Sequence, residues 1–115
     1  MIAVIFEVEP HEEHKMLYMD IAANLREELE KIEGFLSVER FQSLTNPEKI
    51  LSLSFFENEE AVARWRNLDM HRSAQVAGRS KAFAGYRLRV ASVIRDYGKN
   101  QREQAPADSK NFHEV

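Results

Sequence analysis

A chain of 115 residues is long enough for one domain with a modest hydrophobic core. Its formal charge of −3 and its pI near 5.8 lack the basic footprint of a nucleic-acid-binding protein. The sequence contains no cysteine, which excludes disulfides, thiolate metal sites and a cysteine nucleophile and agrees with a cytoplasmic location. No run approaches the roughly 20 apolar residues that a membrane-spanning helix needs, and the start, MIAVIFEVEP, alternates like a strand rather than resembling a signal peptide.

The first third of the chain predicts a strand followed by a helix. In residues 2–8 both alternating sets of side chains are largely apolar, which is typical of a strand covered on both faces, and Pro10 ends it. Residues 11–33 predict an amphipathic helix, followed by Gly34 as a terminator. The apolar stripe of this helix consists of Leu17, Ile21, Leu25, Leu29 and Ile32.

The middle of the chain predicts a hairpin followed by a second helix. Residues 35–43 and 49–56 are the two strands of the hairpin, because Asn-Pro punctuates the stretch between them. Asn58 is a good N-cap for the helix that follows. The apolar side of this helix consists of Ala61, Val62, Trp65 and Leu68.

A last strand is predicted for residues 86–96, after a short segment that follows Gly78. The order is therefore β-α-β-β-α-β, the ferredoxin-like arrangement of an α+β protein with a four-stranded antiparallel sheet. Residues 1–97 form this domain. Residues 98–115 have almost no apolar periodicity, so we expect a polar C-terminal tail that is mobile or lies as an arm over a partner.

Two helices on one face of such a sheet leave its other face bare and rich in large apolar residues. A monomer rarely exposes so much apolar surface, so two sheets packed face to face in a homodimer are expected. The arginines of the last strand, Arg87, Arg89 and Arg95, are expected to pair with Glu39 or Asp96 on the sheet. A ligand carboxylate is the alternative partner for them.

The sequence FFENEEAVARWRNLDMHRSAQVAGRSKAFAGYRLRVASVIRDY resembles the antibiotic-biosynthesis-monooxygenase (ABM) domain family, and the resemblance extends over roughly residues 1–97. Members typically follow the third strand with an acidic helix start and an Ala-x-x-x-Trp run. A short helix and a last strand ending near Arg-x-Tyr come next. The family consists of small dimeric α+β barrels, among them cofactor-free quinone-forming monooxygenases and haem-degrading enzymes. The resemblance therefore implies a homodimer with a ligand cavity between the helices and the sheet of each subunit.

The same resemblance implies the candidate site residues. Trp65 matches the tryptophan that lines the cavity in many members. His71 lies six residues later, where the quinone-forming branch has a tyrosine, and it retains a proton-handling group as the candidate catalytic base. Gln75 stands where the haem-degrading branch has a haem-ligating histidine, and Glu7 lies at or next to the position of an asparagine in that branch. Trp65, Glu7 and Gln75 are the candidate substrate-binding residues.

Each of these residues also has a purely structural interpretation. Trp65 lies on the apolar side of its helix and fits core packing. His71 lies between charged residues and fits a solvated or helix-terminal position, while Glu7 fits edge polarity or a salt bridge. His11 and His14 are three residues apart, but two ligands without a supporting carboxylate make a weak site. We therefore predict no metal site.

Two classes of function remain. The first is a cofactor-independent monooxygenase that oxidises a small aromatic or phenolic substrate with O₂, with His71 as proton acceptor and Trp65 as a stacking wall. The alternative is a non-catalytic dimeric barrel that binds a small hydrophobic ligand as a stress-response accessory. No flavin or nicotinamide motif is present, so no cofactor is expected. Haem degradation is the third possibility, with haem as the bound group.

Convergence of the Trp65 and His71 side chains on one cavity places a condition on the helix. Six residues of one unbroken helix separate two side chains by about 120° around the axis. We therefore expect residues 67–69 to break or bend the helix. Asn67 and Asp69 suit such a break, because their side chains compete for backbone hydrogen bonds.

Overall fold

The computed structural model describes residues 1–75 and 83–113, and for residues 14, 69–75, 83 and 111–113 it describes the backbone alone. The elements follow the predicted order, with one additional helix near the C-terminal end. They are β1 Ile2–Pro10, a one-turn 3₁₀ helix Glu12–His14, α1 Lys15–Leu29, β2 Phe35–Gln42, β3 Ile50–Phe56, α2 Glu59–Gln75, β4 Phe83–Ser92 and α3 Ala107–His113. None of the described helices is both long and apolar enough to cross a membrane.

The four strands form one sheet in the order β2-β3-β1-β4 with every neighbouring pair antiparallel, which confirms the ferredoxin-like arrangement. β4 lies earlier in the chain than predicted, because its register follows β1. Pro10 pairs with Phe83 at one end and Ile2 with Ser92 at the other. The Val93 amide still donates to the Met1 carbonyl over 3.0 Å. Residues beyond this point have no part of β1 left to pair with.

The helices cover β1, β2 and β3 on one face of the sheet, and the core lies between the two layers. On β4 the residues of the same face stay exposed, Tyr86 by 70%, Leu88 by 43% and Val90 by 50%. Val4 and Val8 point from β1 to this face and are 1% and 0% exposed. Val4 belongs to a cluster that joins the sheet to both helices through Leu29, Val38, Phe56, Ala61 and Val62. Val8 belongs to a second cluster with Tyr18 and Ile50. Burial of each such side chain contributes about 1.5–3 kcal/mol, so these two clusters hold the helices on the sheet.

Helix α1 ends at Leu29, four residues before the predicted end. After it, the Ile32 amide donates to the Leu29 carbonyl over 3.0 Å, a three-residue spacing that tightens the chain and ends the helix. Gly34 then turns the chain with a φ of +91°. A Cβ at Gly34 would lie 2.8 Å from the Cβ of Ala61, so both the backbone angle and the available space require glycine.

Helix α2 begins as predicted, with the Ala61 amide donating to Asn58 Oδ1 over 2.9 Å. It then continues without interruption to Gln75. The predicted break at residues 67–69 is therefore wrong, and of that prediction only a bend within the continuous helix remains. Asn67 and Asp69 cost an internal helix position only a few tenths of a kcal/mol each, whereas burial of Ala61 and Val62 in the core stabilises the helix by more than that.

The side chains of β3 alternate between two different environments. Ser52 and Ser54 pair with Phe6 and Val4 and share their helix-covered face, whereas the leucines of β3 point away from the helices. We call this opposite surface the outer face, and its large apolar residues are Ile5, Phe41, Leu51, Leu53 and Phe55. Helices α1 and α2 both pack on the face opposite to it. The radius of gyration is 16.9 Å, against about 13 Å for a compact chain of this length.

The C-terminal segment folds on itself around Arg102. The guanidinium lies 5.2 Å from the centre of the Tyr97 ring and donates to the Gly98 carbonyl over 3.2 Å. Ala105 is buried, and α3 follows it. The polar tail thus contains a short helix that apolar periodicity does not indicate, because α3 contains few large apolar residues.

Candidate functional site

Trp65 lies on α2 and packs against the main core cluster on the helix-covered face. Its ring centre is 6.3 Å from that of Phe56, which is fully buried, and Phe56 in turn meets Phe35 edge-on at 5.7 Å. The indole itself is half-buried. Trp65 is therefore a core residue on one side and remains accessible on the other, as a cavity wall would be.

His71 and Gln75 lie in the last part of α2, where their side chains are outside the described residues. A regular helix places residue 71 about 9 Å along the axis and about 120° around it from residue 65. The convergence of Trp65 and His71 on one ligand stays a prediction, and in this continuous helix it requires a bend at residues 67–69.

Glu7 lies on the outer face, on the opposite side of the sheet from Trp65. It pairs across the sheet with Leu51 and Arg87. Its carboxylate is 3.3 Å from Arg89 Nη1 and 3.6 Å from Lys49 Nζ. The salt-bridge interpretation of Glu7 is confirmed, and Arg89 pairs with Glu7 rather than with Glu39 or Asp96. Within one protomer the structure does not bring Glu7 together with Trp65.

The outer face also carries an open cleft of about 280 Å³ beside Glu7. Its walls are Glu7, Phe41, Gln42, Ser43, Lys49 and Leu51. The one carboxylate of Glu7 is shared by two cations, Lys49 and Arg89. This cleft therefore places apolar surface next to a partly exposed ion cluster, the combination found where the core of a protein interface meets its polar rim.

A tyrosine–arginine pair lies between α1 and the sheet. Tyr18 is 5% exposed and packs with Val8 and Ile50. The guanidinium of Arg40 on β2 interacts with the Tyr18 phenol by charge and hydrogen bonding, and its Nη2 donates to the Ala22 carbonyl over 3.4 Å. Burial raises the pKa of Tyr18 above its ordinary value of 10.0, and Arg40 partly opposes this rise. The phenol is therefore neutral near neutral pH.

The apolar pattern of the sequence does not predict this tyrosine–arginine pair. The apolar stripe of α1 predicts that Leu17, Ile21 and Leu25 face the core. In the structure, the buried residues in the first half of α1 are instead Tyr18 and Ala22. The signal that was available is the alternation of β2, since Val38 is buried and Arg40, two residues on, must share its face.

Among the described residues there is no group of three or more histidine, cysteine, aspartate or glutamate side chains that could hold a metal ion. His11 is exposed at the start of the 3₁₀ helix, and the His14 side chain lies outside the described residues.

The family model described as Antibiotic biosynthesis monooxygenase (ABM) matches residues 1–77. The chain belongs to the antibiotic biosynthesis monooxygenase family. This ABM chain is 42% identical over 101 residues to a protein from Pyricularia oryzae named jasmonate monooxygenase ABM. The match covers 88% of the chain but 47% of the relative, so the chain spans about half of that protein's length.

Solved structures show the same fold at low identity. A Deinococcus radiodurans protein named for the ABM family superposes with a TM-score of 0.72 at 13% identity, covering 85% of this chain and 97% of that one. A conserved Methanosarcina mazei protein gives a TM-score of 0.68 at 22% identity, covering 78% and 89%. These likenesses establish the ferredoxin-like α+β fold of the ABM chain.

Proposed function

We propose that this ABM protein is a cofactor-independent monooxygenase that oxidises a small aromatic or phenolic substrate with O₂ in the cytosol. The observation that carries the proposal is the 42% identity to a relative whose name denotes a monooxygenase, together with the family match over residues 1–77. The half-buried Trp65 supports it as an aromatic wall on the helix-covered face.

The proposed chemistry needs no external reductant. Deprotonation of a phenol or anthrone yields an electron-rich anion that can react with O₂ directly. In the oxidation of an anthrone-type CH₂ group, one oxygen atom becomes the quinone carbonyl and the other leaves as water with the two hydrogens. The protein then has to supply a dry site, orientation and a base. We assign the base to His71 and the stacking wall to Trp65, with Gln75 as a further substrate contact. Glu7 is left out of this helix-side site because it lies on the outer face.

We further propose a homodimer in which the outer faces of two copies pack together. Leu53 and Phe55 point away from the helices, and Phe41 remains 43% exposed. An apolar strand of this kind at the centre of a sheet resembles half of an obligate interface, which typically buries on the order of 2,000 Å² or more in total. A second copy also gives the cleft beside Glu7 a protein neighbour.

The activity test is an O₂-uptake screen with polyphenols, an anthrone and jasmonate, without added reductant or metal. Jasmonate is included because the Pyricularia oryzae relative carries it in its name. We expect one mole of O₂ consumed per mole of product with at least one compound, and loss of turnover in His71→Ala with an unchanged Tm. His11→Ala is the matched control, because His11 is an exposed histidine outside the proposed site.

Two outcomes would favour one of the alternative functions. Binding of these compounds without O₂ uptake contradicts the enzyme proposal and favours a non-catalytic ligand-binding barrel. Incubation with haem followed by a scan of the Soret region tests the haem-degrading alternative. If a Soret band forms and then decays with a supplied reductant, the protein is a haem-degrading enzyme and the cofactor-free proposal is rejected.

A further inference from the structure

Arg40 carries a charge that the described part of the chain does not neutralise. Val38 and Arg40 lie on the same face of β2, and Val38 is in the main core, so Arg40 is directed towards the helices. Its Nη2 donates to a backbone carbonyl, but its Nε is buried and has no acceptor among the described residues. No described carboxylate lies within ion-pair distance of it, in contrast to Arg89, which pairs with Glu7.

Tyr18 does not supply the missing negative charge. Its burial favours the neutral phenol, as the raised pKa indicates. A half-buried guanidinium beside a neutral hydroxyl costs free energy unless an anion neutralises its charge or an ordered acceptor takes its free N–H. The planar fork of a guanidinium matches a carboxylate in particular.

The surroundings of Arg40 extend towards an aromatic surface. Arg40, Ser52 and Phe6 form one row across β2, β3 and β1, and all three are half-buried. Neighbouring strands lie about 4.8 Å apart, so the row spans about 10 Å from the guanidinium strand to the aromatic one. The small Ser52 separates the two ends, and the Phe6 ring lies 5.9 Å from that of Tyr86.

We propose that Arg40, together with Tyr18, is an anion-binding subsite that takes the carboxylate of an organic acid. The apolar body of this acid lies over Ser52 and reaches Phe6 and Tyr86. This inference rests on the proposed function and narrows its substrate class to acids of about the size of a bicyclic aromatic carboxylate.

The test compares two probes of nearly the same shape, the anion 2-naphthoate and the neutral 2-naphthamide, in which an NH₂ donor replaces one carboxylate oxygen. Each is titrated into ¹⁵N-labelled full-length protein, and the backbone and arginine Nε–H resonances are followed by NMR. We expect 2-naphthoate to bind at least tenfold more tightly than 2-naphthamide and to shift the Nε–H resonance of Arg40. The amide, and sodium chloride at equal ionic strength, should leave that resonance in place.

Variants assign the charge effect to one residue. Arg40→Gln should weaken 2-naphthoate binding at least tenfold without changing 2-naphthamide binding. The 2-naphthoate affinity of Arg40→Lys should lie between those of the wild type and Arg40→Gln. The matched control is Arg26→Gln, because Arg26 on α1 is 56% exposed and is paired with Glu30. It should change neither affinity.

Equal affinities for the two probes, or full naphthoate affinity in Arg40→Gln, overturn the proposal. If Arg40→Gln fails to fold, the wild-type Nε–H shift decides, since a subsite filled only by water gives no response to naphthoate. The outcome is independent of turnover. Carboxylate selectivity without O₂ uptake rejects the enzyme proposal alone, and O₂ uptake without carboxylate selectivity rejects the subsite alone.

Discussion

Tyr18 shows how burial at a single residue can make stability depend on pH. The unfolded chain releases the phenolic proton near pH 10.0, whereas the folded protein holds it to higher pH because burial disfavours the phenolate. Above that pH the folded state therefore binds more protons than the unfolded state. Its free energy of unfolding must then fall as pH rises through the folded pKa.

The variant that checks this dependence is Tyr18→Phe, which keeps the ring and removes the titrating group. Urea denaturation of both proteins between about pH 8 and 11 gives the difference in unfolding free energy. We expect this difference to be constant below pH 10 and to turn against the wild type above it. Parallel curves over the whole range mean that Tyr18 is not desolvated in solution.

Trp65 is the residue for which core packing and ligand binding make different predictions. Its contact with Phe56 and the main cluster predicts that Trp65→Ala lowers the free energy of unfolding by about 3 kcal/mol, because a large ring leaves a cavity. Trp65→Phe should lose about half of that. Urea denaturation followed by circular dichroism measures both. A loss below about 1 kcal/mol for Trp65→Ala assigns the indole to the cavity wall alone.

At the scale of elements, the connection between α1 and β2 depends on one glycine. Gly34→Ala places a methyl group 2.8 Å from Ala61 Cβ at a backbone φ of +91°, so we expect a loss of about 2 kcal/mol or more. The control is Gly85→Ala on β4, where an added Cβ has no neighbour within 4 Å. That variant should be neutral or slightly stabilising. Thermal unfolding of the pair provides the comparison, and equal Tm values contradict the assigned clash.

The sequence predicted those helices and strands that are determined by side-chain alternation and by capping residues. Alternation located β1 and the hairpin of β2 and β3, and Asn58 located the start of α2. The ends that depend on distant partners could not be read from the sequence. β4 is displaced because its two ends are set by pairing with β1, from Pro10 to Ile2. Helix α2 runs past Asn67 because tertiary packing outweighs weak helix propensity.

The residues of the candidate site also divide into those that a local pattern predicts and those that only long-range pairing places. Trp65 was found because its helix is amphipathic and its motif is distinctive, whereas Glu7 could be placed on the opposite face only from the strand register. The partnership of Tyr18 with Arg40 joins residues 22 positions apart on different elements. The alternation of β2 indicates the face on which Arg40 lies, but it does not indicate that Tyr18 is its partner.

At the scale of the whole molecule, the outer face predicts a homodimer. Light scattering at micromolar concentration should give twice the 13.4 kDa mass of the chain. Leu53→Glu buries a charge in the proposed interface and should produce monomers. Leu44→Glu is the matched control, since Leu44 is 98% exposed, and it should remain dimeric. A 13.4 kDa species at every wild-type concentration contradicts the assembly and with it the barrel.

The alternation of β3 has an evolutionary consequence. Ser52 and Ser54 face the helix layer in which we place the ligand, whereas Leu51 and Leu53 face the surface on which we place the second copy. Successive residues of one strand thus have two separate proposed roles, ligand binding and dimerisation. In the proposed dimer, the serine positions can change with the ligand, while the leucine positions have to stay apolar to pack against the second copy. If a gene of this kind is duplicated and fused, one half can abandon its ligand and still be retained as the lasting partner of the other.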